Sequence, residues 1–239
     1  DQPILTQYAA SMRRLVQGDL GVSLRDGTPI TEQIALRLPR TLELIAAAGM
    51  IALVFGIPLG ALAAVHHGRL ADRIISHLAG LALAVPVFVI GTVFIMLFAQ
   101  TLRWVPAGGF VPFRQDPAQH LGLLAMPAFS IGIGLSAMIV RMTRTAMIDV
   151  MSRDFVRTAR AKGLYEPAVV LRHALRNALI PVTTMGALEF GTLLSGAVLT
   201  EQVFSIPGFG KLIVDAVFNR DYAVVQGVVL VTATVYILL

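Results

Sequence analysis

The sequence contains no cysteine and carries little charge. Without thiols there is no disulfide framework and no thiolate metal site. Only 14% of the 239 residues are charged while 56% are apolar, and the mean hydropathy is +0.77. A soluble domain has about a quarter of its residues charged, so this shortage argues against a soluble enzyme. It argues instead for a chain that crosses a membrane several times. The net charge of +5 would suggest nucleic acid in a soluble protein, but here the basic residues lie between apolar runs, where orientation rules account for them. No secretory signal opens the sequence, which begins at Asp1 without Met.

Catalytic signatures are missing too. A phosphate-cradling loop needs G-x-x-x-x-G-K-[ST]. The nearest stretch, Pro207-Gly-Phe-Gly-Lys211, lacks the first glycine at that spacing and has Leu212 where the hydroxyl belongs. It reads as a turn with a chance Gly-Lys pair. Neither His-Glu-x-x-His nor Gly-x-Ser-x-Gly is present, which leaves an intramembrane enzyme without support. An ion-gradient-driven secondary transporter is the other alternative. It needs charged or broken-helix ion sites within its spans, and Glu189 is the one acidic residue deep inside an apolar run.

Five apolar runs are present: Leu44–Val65, Leu78–Leu102 with Pro86 inside, Leu121–Val140 with Pro127, Leu179–Leu199 around Glu189, and Ala223–Leu239. The first four are of a length to cross a hydrocarbon core of roughly 30 Å. Gly56-Ile-Pro-Leu-Gly60 matches the small-xxx-small pattern for close helix packing, and Pro58 predicts a kink. Ahead of these spans, residues 1–39 combine an amphipathic piece, Ile4–Leu20, with turn signals at Asp26-Gly27 and Thr28-Pro29. They read as a membrane-surface segment. Trp104 fits the interfacial aromatic belt. His66 and His67 read as loop residues rather than metal ligands, since no carboxylate cluster accompanies them.

One long polar segment interrupts the runs. Ser152–Pro181 reads as two short helices around a turn, with Asp154 as a cap for the first and Gly163 at the left-handed position that ends it. Glu166-Pro167 opens a second helix, which runs through Arg172 and Arg176 into the membrane at Ala178. The 141–177 loop holds Arg141, Arg144, Arg153, Arg157, Arg160, Lys162, Arg172 and Arg176. The loops at 103–120 and 200–222 hold only Arg103, Arg114, Lys211 and Arg220. The positive-inside rule therefore predicts a cytoplasmic 141–177 loop and an external residue 1. An external start without a cleavable signal implies a further span ahead of Asp1. Orientation alone does not call for a loop of such length, so a docking surface is predicted. Apolar spans at both ends leave a DNA-reading helix-turn-helix no freedom to enter a groove.

Thr158-Ala-Arg-Ala-Lys-Gly163 followed by His173-Ala-Leu-Arg-Asn-Ala-Leu-Ile-Pro181 resembles the cytoplasmic loop of ABC importer permeases. It departs from that family's general Glu-Ala-Ala pattern at Arg157 and Thr158, and from its Ile-x-Leu-Pro end at His173 and Leu175-Arg176. The Arg-Thr-Ala-Arg-Ala-Lys-Gly form is similar to the subfamily serving dipeptides, oligopeptides, glutathione or nickel. Gly18-Asp-Leu-Gly21, Arg37-Leu-Pro39, Val105-Pro-Ala-Gly108, Phe204–Gly210 and Asp221-Tyr222 fit that subfamily as well.

The resemblance implies an all-α transmembrane bundle of the type I importer permease fold, with a permease domain over residues 40–239. It implies a bacterial inner-membrane subunit that is itself no enzyme. Its partners would be a second, related permease, two cytoplasmic ATPases that bind the ATP and magnesium, and an external solute-binding protein. No cofactor belongs to this chain, and nucleic acid is not among its partners. Arg157, Thr158, Ala159, Arg160, Lys162, Gly163 and Leu164 would form the ATPase-coupling helix. Arg157 and Lys162 would meet carboxylates, while Ala159 and Gly163 would permit close approach. Glu189 has two readings: a residue lining the substrate path, or a carboxyl protonated or hydrogen-bonded between helices, for example through Thr183, Thr184 or Thr192.

Overall fold

The computed structural model describes residues 3–238. Among them the chain is helical, and the one β-bridge joins Val22 to Pro29. Helix α1 (Ile4–Val16) is followed by the 17–29 turn region, where Gly27 takes a φ of 70°. There Asp26 accepts from the Thr28 hydroxyl and amide at 2.7 and 3.0 Å, which holds its carboxyl down to about 2.

Helix α2 (Ile30–Val65) is one continuous element of 36 residues that passes through Pro39 and Pro58. Residues 30–39, read as part of the membrane-surface segment, are fused to the first apolar run in this one helix. At 1.5 Å per residue α2 is about 54 Å long, well beyond the hydrocarbon thickness. Helix α5 (Pro117–Met151) has a similar length and starts where the Asp116 carboxylate accepts from the Gln119 amide at 3.0 Å. The two lie side by side because glycines remove the obstacle. A Cβ at Gly56 would sit 2.6 Å from Ile139, one at Gly60 2.7 Å from Thr143, and one at Gly132 2.8 Å from Ile51. The small-residue stripe read from the sequence is thus an α2–α5 seam.

The second apolar run is not a straight span. Helix α3 (Leu70–Ala84) meets α4 (Val87–Phe94), continued by the π-helical turn Ile95–Thr101, at 93°. Pro86 causes the break: it cannot donate a helical hydrogen bond and pushes Val85 to φ −91°, ψ 123°. Only α2 and α5 qualify alone as membrane-crossing helices, and the described residues give up to four spans if bent pairs count as one. The expected five spans therefore become two unbroken helices, two bent segments and α10 (Tyr222–Leu238), a 17-residue apolar helix.

Helices α6 (Asp154–Ala161) and α7 (Glu166–Ala168) follow α5, and α7 runs through the π-wound Val169–Leu175 into α8 (Arg176–Val203). A sharp turn leads to α9 (Phe209–Phe218). One core cluster gathers Leu44, Met126, Phe204, Phe209 and Val228, and a second surrounds Met147, Val156 and Val169 at the far end of α5.

Candidate coupling site

The basic segment is built as a bracket standing on the end of α5. Residues 141–151, read as loop from their charge, are the last turns of that helix. Ser152 and Arg153 turn the chain, and α6 begins. Asp154 does not cap it: the cap position is Arg153, with no side-chain bond to the helix. Asp154 is instead the first helical residue, where its charge meets the positive end of the helix dipole. Gly163 does end the unit, with φ 80° and its amide on the Arg160 carbonyl at 2.9 Å. No atom outside its chain neighbours lies within 4 Å of a Cβ placed there, so glycine is required for conformation, not for room.

Val156 and Ala159 fasten α6 to the body. Both are buried, packed with Met147 and Val150 of α5, Ala61 and Ala64 of α2, and Val169 and Ala174 beyond the turn. Burying Val156 alone is worth about 1.5–3 kcal/mol. This corrects the expectation for Ala159: its small side chain allows α6 to approach its own bundle, not a partner. The opposite side presents Phe155, Arg157, Thr158, Arg160, Lys162, Gly163 and Leu164, all exposed.

Those charges differ in commitment. Arg160 grips Glu166 with two hydrogen bonds, at 2.6 and 3.1 Å, and ties α6 to the start of α7. The guanidinium holds the Glu166 carboxyl below its ordinary value. Arg157 reaches Asp154 at 3.4 Å between two exposed side chains, a contact of little net worth in water. Lys162, Arg172 and Arg176 make no ion pair among the described residues. Thr158 turns its hydroxyl onto the Asp154 carbonyl. The result is a short helix, clamped beneath and at its end, with Phe155 on it and Leu164 past its end exposed, and exchangeable positive charge between.

Known proteins decide what such a bracket belongs to. Residues 56–239 match the family described as "Binding-protein-dependent transport system inner membrane component". The chain belongs to that family. It is 40% identical over its whole length, covering 76% of the relative, to "Glutathione transport system permease protein GsiC" of Escherichia coli (strain K12), and equally to that of Salmonella choleraesuis (strain SC-B67). Its fold matches a chain in an inward-facing structure of the MetNI methionine ABC transporter. There the TM-score is 0.70, the identity 17%, and the match covers 86% of this chain and 90% of the other. A chain of an amino acid ABC transporter matches with a TM-score of 0.59 at 15% identity, covering 87% of each. The permease is thus the inner-membrane part of an ABC import system, and ATP hydrolysis belongs to a separate subunit.

In this permease Glu189 is half-buried in α8, and its side chain meets the Thr192 hydroxyl at 3.2 Å. Thr183 and Thr184 bond to carbonyls of their own helix instead. A more deeply buried carboxylate stands elsewhere on α8. Glu201, near the end of α8, is wholly enclosed. It accepts from the Thr41 hydroxyl and from the Lys211 amide at 2.7 Å, while Thr41 accepts from the Phe209 amide at 2.8 Å. Arg40 adds a bond to the Pro207 carbonyl at 3.0 Å. A Cβ at Gly208 would lie 2.2 Å from the Glu201 carboxylate, so the 204–211 turn wraps this group only because glycine stands there. The supposed chance Gly-Lys pair is one wall of that cage. The glycines at 208 and 210, seven and nine residues after a carboxylate, were the available signal.

A second tie joins the chain's two ends. Asp221 accepts from the Ser23 hydroxyl at 2.6 Å and from the Leu24 and Val224 amides at 3.3 Å. Burial would push its carboxyl up, and these bonds bring it below the ordinary value. His67 lies beside Asp72 and Arg144, with no group of three or more metal-ligating side chains among the described residues.

Proposed function

We propose that this permease passes di- or oligopeptides, or a peptide-sized solute such as glutathione, from an external binding protein into the cytoplasm. The full-length identity to glutathione-transport permeases supports this substrate class. The carrying observation is the outward side of α6. Phe155 on α6 and Leu164 past its end are exposed apolar side chains, and Arg157 and Lys162 offer charge, on a bracket whose underside is locked by Val156 and Ala159. Such a part transmits displacement when an ATPase dimer closes on it. Two ATPases would dock in this way, one on each of two related permeases. ATP and magnesium would be bound on the ATPases.

The excess of Arg and Lys in 141–177 supports a cytoplasmic bracket, with residues 1–39 on the external side. The spans would form the path at the permease–permease interface and open alternately to each side. Glu189, half-buried on α8 and hydrogen-bonded among the described residues to Thr192 of its own helix, would line that path and meet the substrate's amino group. Proteoliposomes with the complete importer test this reading. Glutathione or dipeptide uptake should require ATP, the binding protein and the ATPases together. Uptake driven by an ion gradient without ATP would overturn it.

A further inference from the structure

The segment that joins the bracket to α8 carries one residue more than an α-helix can use. Its fully buried side chains are Val169, Ala174, Ala178 and Val182. The last three are four residues apart, the spacing of one helix face. The first interval is five, and at about 3.6 residues per turn an α-helix would then miss its face by about 140°. The π winding of Val169–Leu175 absorbs the surplus and keeps Ala174 on the same side as Val169.

The neighbouring residues explain the wide turn. With α winding from Val169, the positions facing the core would be Arg172 and His173. Arg172 is exposed and His173 only half-buried. Turning them inward would set a guanidinium and an imidazole among Met147, Val150 and Val156, a cost the wide turn avoids. At its downstream edge the Asn177 side chain donates to the His173 carbonyl at 2.7 Å and pins the change of winding there.

The upstream edge is not pinned in this way. Val170 follows Val169 and is partly buried against the same cluster. It stands four residues before Ala174, where an α-helix needs its apolar side chain. If the wide turn moves one step toward Glu166, Val170 takes the place of Val169, a swap between identical side chains. A step the other way would bring His173 inward. The geometry therefore permits a slip in one direction only.

We propose that Val169–Leu175 is a slip joint between the ATPase-coupling bracket and α8, with Val169 and Val170 as alternate occupants of one apolar site. The inference rests on α6 being the ATPase contact. A push on α6 reaches the joint through buried Val156 and Ala159 and through the Arg160–Glu166 clamp. One step moves the bracket along the helix axis by about 1.5 Å, the rise of one residue, while Ala174 and Ala178 stay packed.

The test uses the complete importer and two deletions at exposed positions. Deleting Leu171, 62% exposed, leaves Val169 and Ala174 four apart, so the segment should close into plain α-helix. That importer should keep its ATPases, unfold in detergent no earlier than the parent, and hydrolyse ATP with loss of uptake. Deleting Ile180, 65% exposed, removes a residue where there is no surplus and should lower the unfolding temperature. Equal destabilisation by the two deletions overturns the joint, and so does full uptake without Leu171. Amide exchange in the unaltered importer gives a reading free of variants. Protection over 168–176 should differ between the nucleotide-free state and an ATP-bound state blocked in hydrolysis. The Leu171 deletion should erase that difference. Equal protection in the two states of the parent marks a static packing feature and overturns the proposal. Co-purification of the ATPases with the parent permease reports on docking separately, so the two readings can fail independently.

Discussion

The guanidinium of Arg160 holds both carboxylate oxygens of Glu166 across the turn made by Gly163. That clamp converts two adjacent helices into one rigid bracket. Glu166→Gln keeps the volume but removes the charge, so α6 should lose its fixed angle to α7. ATP hydrolysis by the assembled importer should continue while substrate uptake falls several-fold. The ratio of uptake to hydrolysis in proteoliposomes measures this.

The same pair has a pH signature. The Glu166 carboxyl is held below its ordinary value, so the clamp's contribution is complete above the unfolded carboxyl's value of about 4.3. It is lost as pH falls through the lower, folded value. Amide hydrogen exchange in 158–166 should rise over that acidic window in the native chain. In Glu166→Gln it should already be fast and show no such transition.

Gly163→Ala forces an L side chain into the left-handed region and should cost about 1–2 kcal/mol, although nothing stands near the added methyl. The loss should appear as local opening of the bracket with global thermal stability little changed. Gly163→Asn, which tolerates this conformation better, should restore most of it.

Glu201→Ala leaves the Thr41 hydroxyl and the Lys211 amide without their acceptor in a closed cage. Each orphaned buried donor costs about 1–3 kcal/mol, so thermal unfolding in detergent should move down by several degrees. Glu189→Gln should leave unfolding unchanged and lower uptake. Unchanged uptake of every substrate would remove Glu189 from the path.

Gly56→Leu places a side chain 2.6 Å from Ile139 and should destabilise the α2–α5 seam by about 1–3 kcal/mol. Adding Ile139→Ala should recover part of that loss. The recovered part is the coupling between the two positions, read from a double-mutant cycle.

The helical class, the apolar runs, the Gly56–Gly60 contact face, the Gly163 stop and the basic bracket were all legible in the sequence. Each depends on local chemistry: charge-free runs, small residues four apart, a left-handed glycine. What was not legible depends on partners distant in the chain. The end of α5 looked like loop because its arginines mask a helix that runs on past the apolar stretch. The Pro86 break could be foreseen as a weakness, but its 93° angle comes from packing. Glu201 escaped notice because the group that shelters it, Thr41, lies 160 residues away. Ala159 lies on the inner side of α6, a matter of rotation that only Val156 and the α5 surface settle.

The central claim is that the outer side of α6 carries the force of the ATPase. The chain has no cysteine, so Leu164→Cys gives a single thiol on that side. Paired with cysteines along the ATPase cleft in the complete importer, it should form a disulfide that halts ATP-driven uptake, and reduction should restore uptake. Absence of any disulfide from this position, or undiminished uptake by the locked complex, would contradict the account.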